Sequence, residues 1–115
     1  MKKESDQTNA LEEQKRQLLK NHQGEINQVL TLLRTHLKKI KSAGDPSYEY
    51  LAQSLTALIN SYENIMSIPP QQINFLEFII KTLSATIKAY SIQEDAARDS
   101  ELVKIYNSLT LWWTF

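Results

Sequence analysis

The stretch 44–90, GDPSYEYLAQSLTALINSYENIMSIPPQQINFLEFIIKTLSATIKAY, decides the fold class. After Gly44, Asp45-Pro46 has the chemistry of a helix start. The Asp carboxylate accepts free N–H groups of the first turn, and Pro at the first helical position gives up no needed hydrogen bond. Tyr48, Leu51, Leu55, Leu58, Tyr62 and Ile65 then recur at steps of 3, 4, 3, 4 and 3, which places them on one face of an α-helix. Ser67-Ile68-Pro69-Pro70 interrupts that pattern. Ile73, Leu76, Ile80, Leu83, Ile87 and Tyr90 resume it with the same steps, and Phe75, Phe78 and Ile79 widen the apolar face. A face that broad marks either the most central helix or one with surface left for a partner.

Outward from this pair, both flanks are also helical. Upstream, residues 10–42 carry Leu11, Leu18, Leu19 and Val29, and the series Ile26, Leu30, Leu33, Leu37, Ile40 steps 4, 3, 4, 3. Gly24 predicts a bend or fray inside this stretch, because Gly costs about 1 kcal/mol against Ala in a helix. Gly44 fits the residue just past its end. Downstream, Ser91-Ile92-Gln93-Glu94 fits a capping box, and Asp99-Ser100 offers a later start. Either start leads to Leu102, Ile105, Leu109 and Trp112 on one face. The fold expected is all-α, an antiparallel up-down four-helix bundle over residues 10–115, with the polar residues 1–9 as a flexible amino-terminal tail. A helical hairpin pair that completes its core only in a dimer is the alternative.

Composition narrows the function classes. A chain of 115 residues has single-domain length. With 13 basic and 13 acidic side chains the formal net charge is zero, which argues against binding nucleic acid by phosphate neutralisation. No cysteine is present, so disulfides, thiol chemistry and cysteine metal sites are excluded. Two Gly and 3 Pro are too few for the turns of a sandwich or barrel. Met1-Lys2-Lys3 is followed by polar residues rather than the apolar core of a signal peptide. The most apolar patch, residues 75–80, contains Glu77 and ends at Lys81, whereas a membrane span needs about 20 mostly apolar residues. A cytoplasmic protein is expected, with a membrane-associated fraction allowed by its charge distribution. Residues 1–44 hold 9 basic and 5 acidic side chains, while residues 45–115 hold 4 basic and 8 acidic. The favoured explanation is pairing of the basic first stretch with the rest of the molecule. The alternative is attraction to an anionic membrane face, where each basic residue is worth about 1 kcal/mol.

The catalytic inventory is thin. Glu12 and Glu13 are adjacent rather than on one helix face, no Glu-x-x-His pair occurs, and no zinc-protease, glycine-rich phosphate or nucleophile-elbow motif is present. A non-enzymatic protein without cofactor or metal is expected. His36-Leu37-Lys38-Lys39 has the His and the Lys three positions later that resemble a histidine phosphotransfer domain. Those domains follow with Gly, where this chain has Ile40. A lone His beside an amphipathic stripe is read here as a solvated flank. The aromatic end, Leu111-Trp112-Trp113-Thr114-Phe115, is more distinctive. Neighbouring helical residues diverge by about 100°, so Trp112 and Trp113 cannot face the same core. An exposed Trp beside Phe has the composition of a binding hot spot. Tyr106, Leu109, Trp112, Trp113 and Phe115 are therefore the candidate partner-recognition residues.

The order Asp45-Pro46-x-Tyr48, Leu51, Leu55, Leu58, Ser61-Tyr62, Ile68-Pro69 and the apolar helix from Ile73 to Leu83 resembles the immunity proteins of pediocin-like (class IIa) bacteriocins. The likeness is clearest over residues 45–90. The charged first helix and the aromatic carboxyl end fit in kind. The resemblance implies a small cytosolic antiparallel four-helix bundle that protects a producing bacterium from its own peptide. It also implies action on the mannose phosphotransferase permease, the membrane receptor the peptide uses, alone or with peptide bound. In that family the carboxyl-terminal half governs which peptide is resisted, here by position residues 102–115. A monomer is expected. The rival readings are a helical adaptor and a phosphotransfer-type signalling bundle.

Overall fold

A computed structural model describes the backbone of residues 2–113 and the side chains of residues 9–111. The described residues form five α-helices and no strand: α1 (Lys2–Asn21), α2 (Gln23–Ala43), α3 (Glu49–Glu63), α4 (Ile73–Tyr90) and α5 (Asp95–Trp113). Short 3-10 turns at Pro46–Tyr48, Ile65–Ser67 and Pro70–Gln72 make the connections on either side of α3. Helix α2 packs against α3 and α4, and α5 packs against the same two, so α2–α5 close a helical bundle. Helix α1 leans instead on the Pro70–Gln72 turn and the start of α4.

The long first stretch is thus two helices, and its backbone is helical from Lys2 rather than from Ala10. The break falls at His22 (φ −114°, ψ 12°), not at Gly24. The bend lets α1 bury Leu19, with Leu18 packed beside it, and lets Lys15 donate to the Met66 carbonyl at 2.7 Å. Gly24 needs no special space, since a Cβ there would meet nothing within 4 Å. Gly44, by contrast, ends α2 in the left-handed conformation (φ 66°), as expected of a residue past a helix end.

Three side chains sit differently from their sequence reading. The buried series on α2 is Ile26, Val29, Leu33, His36 and Ile40, while Leu30 and Leu37 lie half-buried at its margin. Both series step by 3 and 4 through Ile26, Leu33 and Ile40. The packing selects the one that includes a histidine, so His36 is a core residue and not a solvated flank. Tyr48 belongs to the 3-10 turn ahead of α3 and is 38% exposed, so it does not pack as a first-turn core residue. Asp45 does cap that turn, accepting from the Ser47 N–H at 2.9 Å, which holds its carboxyl below the usual range. Ser91 does not open a capping box. Its hydroxyl donates back to the Lys88 carbonyl at 2.6 Å and closes α4, and α5 begins at Asp95, between the two expected starts.

The favoured account of the charge asymmetry also fails. Among the described residues a single Lys or Arg ion pair, Arg34–Glu63 at 3.0 Å, joins the basic first stretch to the acidic remainder. The acids of α5 are committed locally. Arg98 takes Asp95 and Asp99, and Lys104 takes Glu101.

The core is aliphatic except for Ser54, whose hydroxyl donates to the Tyr50 carbonyl of its own helix, and two polar crossings between helices. Tyr62, 1% exposed, reaches from α3 across the bundle to α4, where its hydroxyl lies 2.7 Å from Thr82 Oγ1 and 3.3 Å from Thr86 Oγ1. Thr82 spends its own proton on the Ile79 carbonyl and Thr86 spends its proton on the Thr82 carbonyl. Tyr62 must therefore be the donor. Burial pushes its phenol pKa up, so it stays a donor throughout the neutral range. The second crossing is His36.

Tyr62→Phe keeps the ring and removes the donor. It should lower the unfolding free energy by about 1 kcal/mol, and Tyr62→Ala by about 3–5 kcal/mol, in urea or thermal denaturation. Gly24→Ala should raise it by about 0.4–1 kcal/mol, because the site is helical and open.

Candidate functional site

Two places can carry function. The first is the end of α5. Leu102, Ile105 and Leu109 form its inner face, and Leu109 is fully buried. Leu109 is a core residue and cannot contact a partner, which corrects its assignment to the recognition set. Tyr106 is half-buried and meets the ring of Tyr50 edge-on, with centroids 6.3 Å apart. The Tyr50 hydroxyl, on a residue 53% exposed, donates to Asn107 Oδ1 at 3.2 Å. The pair ties the first turn of α3 to α5 and leaves aromatic surface outward. Further along, Leu111 is 61% exposed. Trp112 and Trp113 continue the helical backbone. Their side chains, and Phe115 entirely, lie outside the described residues.

The second place is the cluster around His36, where the end of α2, the last residue of α4 and the first turns of α5 converge. His36 is 8% exposed. Its Nδ1 lies 2.9 Å from the Tyr90 hydroxyl, and the two rings pack edge-on at 5.5 Å. Its Nε2 faces Asp99 Oδ1 at 3.5 Å, an electrostatic contact longer than a good hydrogen bond. Asp99 is also held by Arg98, which reaches Asp95 as well at 3.2 Å. With the imidazole neutral, Nδ1 accepts from Tyr90 and the Nε2 proton points at the Asp99 carboxylate, so both ring nitrogens are engaged. A cleft of about 360 Å³ opens above the cluster, lined by Leu32, Thr35, Lys39, Tyr48, Asp95 and Arg98 among others.

Burial lowers the His36 pKa, the Arg98 charge lowers it further, Asp99 works against both, Lys39 adds a small lowering and Asp95 a small raising. Burial pushes the Tyr90 phenol up, so its hydroxyl remains protonated beside the ring. A phosphoryl group approaching His36 would meet the Asp99 carboxylate at one nitrogen and Tyr90 at the other. This geometry suits a cross-brace between helices, not a phosphoryl acceptor. Sequence reasoning overlooked the cluster because Leu30 and Leu37 make the more apolar of the two interleaved series. The usable signal was that Val29, Leu33 and Ile40 keep step with His36.

Among the described residues no three His, Asp or Glu side chains converge as a metal site. Among the described residues no helix is long and apolar enough to cross a membrane. No protein-family model, curated protein or solved structure matches this chain.

The His36 cluster predicts a pH dependence with a definite sign. The folded-state pKa lies below that of a free imidazole, roughly 6.5, so the unfolded chain binds the proton first. The stabilisation is complete above that value and is lost as pH falls through the folded value. Tm should therefore drop between pH 7.5 and 5, above the range where most carboxylates titrate. His36→Gln should flatten that slope, as scanning calorimetry at several pH values would show.

Proposed function

We propose that this protein is an immunity protein of the pediocin-like bacteriocin type. In this reading consecutive helices of the α2–α5 bundle run up and down, with α3 and α4 across its diagonal rather than side by side, and the bundle works as a monomer in the cytoplasm. It protects by occupying a surface on the mannose phosphotransferase permease or on its peptide-bound complex, and it carries out no chemistry. The observation that carries the reading is the order of its elements. The Asp45-capped turn, α3, the Pro69-Pro70 break and α4 are consecutive parts of one helical bundle, in the sequence order that resembles the family. Two features support it further. The core is crossed by satisfied polar contacts, so little conformational freedom is left to lose on docking. The α3–α5 face presents Tyr50 and Tyr106, and Trp112, Trp113 and Phe115 follow a few residues later in the sequence. Tyr106, Trp112, Trp113 and Phe115 select the target in this proposal. The burial of His36 favours this reading over a phosphotransfer bundle.

Expression in a sensitive strain, followed by challenge with a panel of pediocin-like peptides, tests the proposal. Protection against at least one peptide is expected. Survival no better than the empty-vector control against the whole panel would refute it. The double substitution Trp113→Ala, Phe115→Ala should keep far-UV helicity and reduce the tolerated peptide concentration by about tenfold or more, the scale of losing a hot-spot aromatic.

A further inference from the structure

The last three turns of α2 carry Arg34, Lys38, Lys39 and Lys41, all exposed, with no acid on that part of the helix. At 100° per residue, Arg34, Lys38 and Lys41 fall within about 60° of arc, and Lys39 lies about 100° round from Lys38, at the rim of the cleft beside His36. Leu37 lies half-buried at the edge of the stripe. Among the described residues, Arg34 is the one of the four cations with a carboxylate within ion-pair distance, Glu63. Asp45 and Glu49, the next acids along the chain, pair with none of these lysines, and the Asp45 carboxylate is engaged by the Ser47 N–H. A helix carboxyl terminus favours cations, but the dipole acts only over the last turn and does not call for four. The surface here is an open, shallow depression between Arg34, Lys38 and Lys41, without the walls that a soluble ligand would need.

We infer that this face of α2 is a docking surface for an anionic membrane. A flat array of unpaired cations matches a plane of phosphate headgroups, which needs no pocket and no fixed register. The zero net charge is no obstacle. The acidic residues are paired within α5, lie on other elements or, like Glu25, sit at the far end of α2, so the molecule is electrically polar and approaches an anionic surface with the end of α2 foremost. Each lysine near such a surface strengthens partitioning about fivefold, and three together about a hundredfold, with strong screening by salt. This inference rests on the charge distribution alone and stands apart from the immunity reading.

Sedimentation of the full chain with large vesicles checks it, using phosphatidylglycerol–phosphatidylcholine mixtures against pure phosphatidylcholine. Binding should appear only with phosphatidylglycerol and fade as NaCl rises from 50 to 500 mM, where the screening length falls from roughly 14 to 4 Å. The variant K38Q/K39Q/K41Q should lose binding by about a hundredfold. The variant K81Q/K88Q/K104Q removes the same charge from α4 and α5 and should retain most of it. Far-UV circular dichroism confirms that both stay helical. Absence of phosphatidylglycerol-dependent binding, or equal loss in the two triple variants, would overturn the inference.

Discussion

Tyr62 sits on α3, Thr82 and Thr86 on α4, and these helices are not neighbours around the ring but face each other across it. A buried hydroxyl left without a partner costs about 1–3 kcal/mol, so the register between α3 and α4 is constrained wherever else the aliphatic side chains could slide. Leucine and isoleucine layers specify that two helices touch. They specify poorly how far one is shifted along the other, because many registers bury similar area. One donor aimed at two threonine oxygens, whose own protons are already committed to backbone carbonyls, has a single satisfactory register.

His36 does the same for the other diagonal. It lies on α2 and turns its Nε2 to Asp99 on α5, while Tyr90 of α4 closes the other side. The two crossings sit on opposite pairs of corners, so all four bundle helices are tied through polar contacts as well as apolar area. The consequence for function is a preformed block. Its surface features, the Tyr50–Tyr106 pair and the cationic face of α2, are displayed on elements whose relative positions are already set. The His36 crossing differs from the Tyr62 crossing in one respect. Its strength depends on an imidazole that burial holds neutral and that weakens the crossing when it takes up a proton, whereas a buried phenol stays protonated.

The face of α3 from Leu51 to Tyr62 and that of α4 from Leu76 to Leu83 were legible because Leu, Ile and Tyr recur at 3 and 4 steps, but beyond Leu83 the buried positions are Thr86 and Ala89, while Ile87 and Tyr90 lie half-buried. α2 was misread by one helical position in each turn. Hydrophobicity ranks Leu30 above Val29 and Leu37 above His36, yet the smaller Val29 and the hydrogen-bonding His36 are the ones that are buried. Tyr48 continued the stripe arithmetically, but the 3-10 geometry imposed by Asp45-Pro46 rotates it out of line. Ser91 had the right spacing for a cap and closed the preceding helix instead. A hydroxyl can serve either end, and only the path of the chain decides which carbonyl or N–H it meets. For the recognition set, α5 periodicity already placed Leu109 on the inner face, and its burial follows from that.

The sequence by itself determined the helical class, the left-handed stop at Gly44, the cap at Asp45 and the apolar faces of α3, α4 and α5. Each of these depends on contacts within a few residues, where backbone geometry and side-chain chemistry leave little choice. Only the tertiary structure decided that α1 bends away at His22, that Tyr62 meets two threonines across the core, and that His36 lies inside. It also decided that the lysines of α2 find no acidic partners. Those outcomes depend on which groups from distant segments arrive at the same place, and a one-dimensional pattern carries no term for a partner 20 or 60 positions away.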